Sequence, residues 1–148
     1  MNFLPICLDI ENAAIVVVGG GKVAEQKIKP LLQYTHSITV YAPETLAAIE
    51  ALPVTIVKQS YTKAALAGTR LVYACTNDRN INRQIALDAK QLQILVCVAD
   101  DPGWCDFISP AIFKKAHMSV AVSSNAEDVK RSVAWRNRIA EALSGETV

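Results

Sequence analysis

The apolar residues of this chain come in short runs separated by polar punctuation. Ala13–Val18 (AAIVVV) is an unbroken apolar run rich in β-branched residues, short enough to predict a buried strand. Ile38–Ala42, Val54–Val57, Leu71–Cys75 and Ile94–Ala99 predict four more strands. The stretches between them are helical. The first runs from Lys22 to about Tyr34, with Val23, Ile28, Leu31 and Leu32 as its buried side and Pro30 as a kink. Pro43 suits the first turn of a second helix over Glu44–Ala51. Ala64–Ala67 predicts a helical turn ended near Gly68, and Thr76-Asn77-Asp78 caps a helix running to about Leu92. Asn2–Ile10 reads as a short edge segment with a proline, before a turn at Glu11–Asn12.

Strands and helices that alternate at this spacing call for α/β architecture. The expected fold is a Rossmann-like parallel sheet with right-handed crossovers and helices on both faces. The pattern changes after Phe107. Met118, Val120 and Val122 alternate with Ser119, Ala121 and Ser123, the period of a strand with one covered face. Ser124-x-x-Glu127 reads as a capping box opening a last helix, with Val129, Val133, Ala140 and Leu143 on its apolar side. A hairpin and one helix bury little alone, so this tail is expected to pack against a second subunit. The division expected is 1–110 as a Rossmann domain and 111–148 as a dimerisation and substrate-side extension.

The junction of the first strand and first helix carries the clearest chemistry. Gly19, Gly21 and Ala24 fit G-x-G-x-x-G/A. The first glycine permits a tight turn, and the second lets backbone approach a pyrophosphate. The small third residue lets helix pack on strand. Free amides at the helix start favour the phosphate charge. Ligands of such sheets bind beyond the carboxyl ends of the strands, which singles out the loops Gly19–Lys22, Ala42–Thr45, Thr76–Asp78 and Asp100–Ser109. Glu44 lies near the position of a ribose-binding acid, and no arginine is nearby to take a 2′-phosphate. This favours NAD over NADP. A helix-start carboxylate is the alternative reading of Glu44.

Asp100, Asp101 and Asp106 fall together on the same predicted edge. Asp101-Pro102-Gly103 is turn chemistry. Asp100 ends a strand, where a turn does not require it, and is the candidate general base. No Ser-His-Asp arrangement is evident. Lys114, Lys115, Lys130, Arg131, Arg136 and Arg138 make the tail basic, either as a solvated face or for a polyanionic substrate.

Composition narrows the class further. Half the residues are hydrophobic, ample for a core in a 148-residue chain. A net charge of +1 gives no sign of nucleic-acid binding, and no apolar run reaches membrane-span length. The expectation is a soluble cytoplasmic protein. The four cysteines (Cys7, Cys75, Cys97, Cys105) lack C-x-x-C spacing. Two lie in strand runs and read as reduced core thiols. Zinc bound by Cys97, Cys105 and His117 is the lesser alternative, and no metal ligand set is assigned.

VVVGGGKVAEQKIKPLL, ITVYAPE, LVYACTNDRNINRQI, VCVADDPGWCDFISPAI and MSVAVSS, in that order, resemble the precorrin-2 dehydrogenase family, which includes the dehydrogenase–ferrochelatase module of siroheme synthase. The resemblance covers roughly residues 3–139. Its most specific part is Val96–Ala111, with Val-x-Asp-x-Pro and Asp-Phe-Ile-x-Pro-Ala. It implies NAD-dependent oxidation of precorrin-2 to sirohydrochlorin by a homodimer, with ferrous iron insertion as a second activity of some members. The family's essential aspartate falls on Asp100. Its NAD contacts fall on Gly19, Gly21, Lys22, Val23, Pro43, Glu44, Thr76 and Asn77, and a substrate-side serine falls on Ser124. The sequence departs from the family pattern at Cys97, where asparagine is frequent. It departs again at Ser123–Ala126, which replaces a serine/threonine-glycine-glycine turn. Two rival readings stay open: a non-catalytic NAD-sensing module acting through a partner, and a protein that only chelates metal.

Overall fold

The computed structural model describes residues 1–145. Five strands form one parallel sheet: β1 (Ala14–Val18), β2 (Ile38–Tyr41), β3 (Thr55–Val57), β4 (Thr69–Ala74) and β5 (Leu95–Val98). Their order is β3-β2-β1-β4-β5. The chain therefore builds outward from β1 in one direction, then returns to its other side. Val18 pairs with Tyr41 of β2 and with Ala74 of β4, so the carboxyl ends of the three central strands finish level. This is the switch point, where neighbouring crossovers leave to opposite faces and a crevice opens.

The alternation of side chains along β1 sorts the core into two layers. Ile15 and Val17 pack with Ala24, Ile28 and Ile49 on one face. Val16 and Val18 pack with Leu66, Ile85, Ala86 and Ala89 on the other. Helices thus cover both faces. They are α1 (Lys22–Leu31) and α2 (Ala47–Glu50) on the first, with α3 (Arg79–Gln91) and a 3₁₀ turn at Lys63–Leu66 on the second. Each fully buried isoleucine or valine contributes about 1.5–3 kcal/mol of transfer free energy.

Several elements differ from the sequence expectation. α1 ends at Leu31 rather than Tyr34, because Pro30 has no N–H for the helical ladder and the chain tightens into i to i−3 bonds at Gln33 and Tyr34 (3.3 and 2.9 Å). Val23 is exposed rather than buried; Ala24 and Ile28 carry the covered side. The expected helix over Glu44–Ala51 shrinks to α2. Pro43 lies outside it because Leu46 donates its N–H to Gly20 O (2.9 Å) and keeps the preceding residues irregular. Asn2–Ile10 forms no strand, while the turn at Glu11–Asn12 closes with Ala13 N–H on Ile10 O (3.2 Å).

The chain divides into two compact units, Cys7–Phe107 and a second made of Met1–Ile6 with the chain from Ile108 onward. The second holds an antiparallel hairpin, β6 (Ala111–Lys115) and β7 (Met118–Val122), and a helix, α4 (Val129–Leu143). Val120 and Val122 are half-buried, whereas Met118 is exposed. α4 is tied to the hairpin by polar bonds: Arg136 Nη1 donates to Ile112 O (2.8 Å), and Lys115 Nζ to Leu143 O (3.1 Å) and Ser144 O (3.2 Å).

The predicted capping box is not formed. Asn125 and Ala126 have φ of 54° and 67°, left-handed values that no helix can run through. The cap is Asp128, whose carboxylate accepts from Arg131 N–H (2.9 Å). Ser124 instead accepts from Asp128 N–H through Oγ (2.9 Å), one turn ahead of the helix. The predicted apolar side also fails: Val129 and Val133 are exposed, Ala140 and Leu143 are half-buried, and the buried residue of α4 is Ser132. The late helix start rotates a serine, not a valine, onto the covered side.

Candidate functional site

Three consecutive glycines after β1 build the first part of the site from backbone alone. Gly19 has φ of +125°, and a Cβ there would meet Cys75 O at 2.4 Å. Gly20 is tighter still, its Cβ position lying 2.0 Å from Glu44 O. Gly21 differs: nothing lies within 4 Å of a Cβ placed on it. It is the N-cap of α1 and offers no side-chain cap, so the opening amides of the helix, at Lys22 and Val23, face outward with the positive end of the helix dipole. Two glycines thus hold the turn against its neighbours, and the third leaves room at an anion-binding helix start. These residues fit the pyrophosphate of a dinucleotide.

The second part is built from side chains at the ends of β4 and β5. Asp78 caps α3, its carboxylate accepting from Asn80 N–H (2.8 Å) and Ile81 N–H (3.4 Å). The cap places Asn82 one turn into the helix, facing the sheet. Asn82 is 1% exposed. Its Oδ1 accepts from Thr76 N–H (3.1 Å) and from the Thr76 hydroxyl (2.7 Å). Its Nδ2 donates to Thr76 O (3.0 Å) and to Asp100 Oδ1 (3.0 Å). The other oxygen of Asp100 lies 3.4 Å from Arg79 Nε, an exposed pair of little energetic weight. The Asp100 side chain is 36% exposed, accessible yet directed.

The neighbouring carboxylates are occupied elsewhere. Asp101 accepts from Gly103 N–H (3.1 Å), the expected turn. Asp106 Oδ2 accepts from Val96 N–H (3.1 Å), and its own N–H donates to Val96 O (2.8 Å), completing the outer edge of β5. Asp100 is left as the carboxylate of the three with solvent access and no structural duty. It borders a cleft of about 60 Å³ lined by Arg79, Asn82, Arg83, Val98, Asp101 and Trp104. Arg83 and Lys90 sit 5.3 and 5.2 Å from the Trp104 ring centroid and steady that wall. A larger hollow of about 290 Å³, lined by Asp9, Asn12 and Arg70 among others, opens at the amino ends of β1 and β4. The smaller cleft is the relevant one, because it lies at the carboxyl edge.

Burial pushes the Cys75 thiol up to about 12, with Asp100 adding to the rise and Lys27 opposing it. Cys105 is also raised, chiefly by its hydrogen bond with Cys97 and by burial, so both thiols stay protonated at neutral pH. No group of three or more His, Cys, Asp or Glu able to hold a metal occurs among the described residues. No helix of the described residues is long and apolar enough to cross a membrane.

The structure brings the glycine turn against Glu44, whose backbone Gly20 touches, and joins Thr76 to Asp100 through Asn82. Lys22, Val23, Pro43, Glu44 and Asn77 are all exposed at this edge. Ser124 belongs to the other unit, where its Oγ accepts from Asp128 N–H. Two residues escaped the sequence reading. Gly20 fills an unrestricted place in the motif, yet its neighbour forbids any side chain. Asn82 and Asp88 stand among Ile85, Ala86 and Ala89 on the buried side of α3, and a polar residue at a buried helical position was the available signal.

Comparison with known proteins adds the family. The chain is 39% identical over 131 residues to the siroheme synthase of Gluconacetobacter diazotrophicus, covering 83% of this chain and 28% of that protein. It is 40% identical over 132 residues to the siroheme synthase of Nitrosospira multiformis, covering 84% of this chain and 28% of that one. The chain thus spans little more than a quarter of the length of these relatives. A solved structure of SirC, precorrin-2 dehydrogenase, superposes with a TM-score of 0.81 at 25% identity, covering 99% of this chain and 71% of that chain. Residues 6–111 match the family model for NAD(P) binding, which takes in the whole sheet, the glycine turn and Asp100. With that match over most of its length, this chain belongs to the NAD(P)-binding family.

Proposed function

We propose that this chain is an NAD-dependent precorrin-2 dehydrogenase that forms sirohydrochlorin. The observation that carries the reading is the glycine turn at the switch point, where Gly21 opens onto free space at an uncapped helix start. The substrate class is drawn from the relatives named siroheme synthase and precorrin-2 dehydrogenase.

Oxidation removes a hydride and a proton from precorrin-2. NAD⁺, when bound, would supply the hydride acceptor. Gly19, Gly21 and the amides of Lys22 and Val23 would hold its pyrophosphate, and Pro43, Glu44, Thr76 and Asn77 would supply the remaining contacts. Asp100 takes the proton or orients the carbon that loses it, and its solvent-facing oxygen passes the proton on. The substrate is a polycarboxylate, which suits the basic extension of residues 111–148, with Lys114, Lys130, Arg131 and Arg138, and Ser124 as the substrate-side residue. The same extension joins two copies, through the exposed apolar residues Met118, Val129, Val133 and Trp135. Ferrous iron insertion is a second activity, tested separately by adding Fe²⁺ to sirohydrochlorin.

The test is anaerobic turnover of precorrin-2 with NAD⁺, followed by absorbance, in wild type and Asp100→Ala. NADH should form in step with sirohydrochlorin and fall by about 10²- to 10⁴-fold in the variant. A folded, NAD-binding wild type with no turnover sinks the reading. Undiminished turnover in Asp100→Ala removes Asp100 from the chemistry.

A further inference from the structure

Asn82 is fully enclosed, and every polar atom of its side chain is used. Three of its four bonds hold Thr76, at the end of β4: the N–H at 3.1 Å, the hydroxyl at 2.7 Å and the carbonyl at 3.0 Å. The fourth holds Asp100 Oδ1 at 3.0 Å, beyond the end of β5. A purely structural amide at a helix start needs only the bonds to its own loop. This one spends a donor on a partly exposed carboxylate that caps nothing, from the buried side of α3. Such a residue costs stability unless all its atoms are paired, and the pairing here is complete.

We infer that Asn82 is a positioning residue: it fixes the carboxylate of Asp100 relative to the loop of Thr76, so that acid–base group and cofactor loop share one rigid bracket. The inference rests on the reading of Asp100 as the acid–base group. Arg79 cannot do this work, since its side chain is 85% exposed and pairs only with the outer oxygen.

Two variants separate positioning from folding. Asn82→Ala removes all four bonds. Asn82→Asp keeps an acceptor for the N–H and hydroxyl of Thr76, loses the donors to Thr76 O and to Asp100, and sets a like charge beside Asp100. Each is made in the full chain, alone and with Asp100→Ala. If Asn82 acts through Asp100, Asn82→Asp lowers kcat by about 10- to 100-fold in the parent, a cost typical of a misplaced catalytic group. In the Asp100→Ala background it lowers the residual rate less than about two-fold, because the bracket has nothing left to position. KM for NAD⁺ should stay near the parent value in Asn82→Asp and rise in Asn82→Ala, where Thr76 is also released. Equal losses in both backgrounds overturn the inference and leave Asn82 a folding residue. A second readout is independent of turnover. Three-bond NMR couplings should give one χ1 rotamer for Asp100 in the parent and an average in both Asn82 variants. An unchanged rotamer also overturns the inference. Absence of wild-type turnover would instead remove the proposed activity, with the rotamer measurement still deciding the role of Asn82.

Discussion

The two units of this chain are held together by different physics. Among the described residues, every buried hydrophobic one, from Ala13 to Val98, lies in the sheet unit. Among the described residues of the hairpin unit, only Ser132 is buried. The first unit encloses two apolar layers, with Thr35, Thr69, Asn82 and Asp88 buried among them. The second has half-covered strands and a helix fastened by Arg136 and Lys115 to backbone carbonyls. A site built on the first inherits rigidity from close packing. Anything built on the second depends on a few hydrogen bonds and on whatever covers Val129, Val133 and Trp135.

The largest effect should come from a single methyl group in the sheet unit. Gly20→Ala drives a Cβ to 2.0 Å from Glu44 O, where only backbone movement can relieve it. Roughly 3 kcal/mol is the expected loss. Thermal unfolding should fall by roughly 10 °C for a chain of this size. Gly21→Ala, one residue on, meets nothing within 4 Å and should change stability by less than about 0.5 kcal/mol. Its effect should appear in NAD affinity, measured by calorimetry, because the methyl occupies the space proposed for phosphate. If both variants melt alike, the division of labour among the three glycines is wrong.

A polar truncation in the hairpin unit should do less, and locally. Arg136→Ala removes the bond to Ile112 O. About 1–1.5 kcal/mol is expected, seen as roughly ten-fold faster hydrogen exchange in α4 with the sheet amides unchanged. Uniform acceleration across both units would mean that they unfold as one, and the contrast between them would collapse.

The same contrast explains what could be read from the sequence. The five strands and both faces of the sheet were legible, because β-branched runs and glycine turns report a core made by periodicity. Asp100 was legible as a carboxylate beyond a strand end. Asn82 was not, since its meaning comes from bonds to residues six and eighteen positions away. The start of α4 was misread because Ser124 and Glu127 have capping-box spacing, while Asn125 and Ala126 adopt left-handed backbone between them. Spacing carries no record of φ. A left-handed alanine costs about 1–2 kcal/mol, so Ala126→Gly should stabilise α4 by about 0.5–1 kcal/mol after glycine's own entropy is counted. Slower exchange of the first-turn amides of α4 would measure it, and faster exchange would refute the strain.

The smallest effect at neutral pH concerns Cys75, whose carbonyl crowds Gly19 and whose thiol feels Asp100. Folding raises this thiol from an ordinary 9.0 to about 12. The folded state therefore holds the proton more tightly than the unfolded chain. Its contribution is complete below the ordinary value and drains away as pH climbs towards about 12. Tyr61, raised from 10.0 by burial and by its bond to Asp88, adds a second loss that begins later. All cysteines and tyrosines of the chain fall within Cys7–Phe107, so this thiol and phenol slope belongs to the sheet unit alone. Denaturant titrations at pH 8 and at a pH midway between 9.0 and 12 should show the loss in wild type, and less of it in Cys75→Ala. Asp100→Asn should shrink it slightly too, by removing the charge that helps keep the thiol protonated. An alkaline slope identical in all three proteins would mean that Cys75 is wetter than its packing implies, and that the crevice between β1 and β4 admits water beneath the glycine turn.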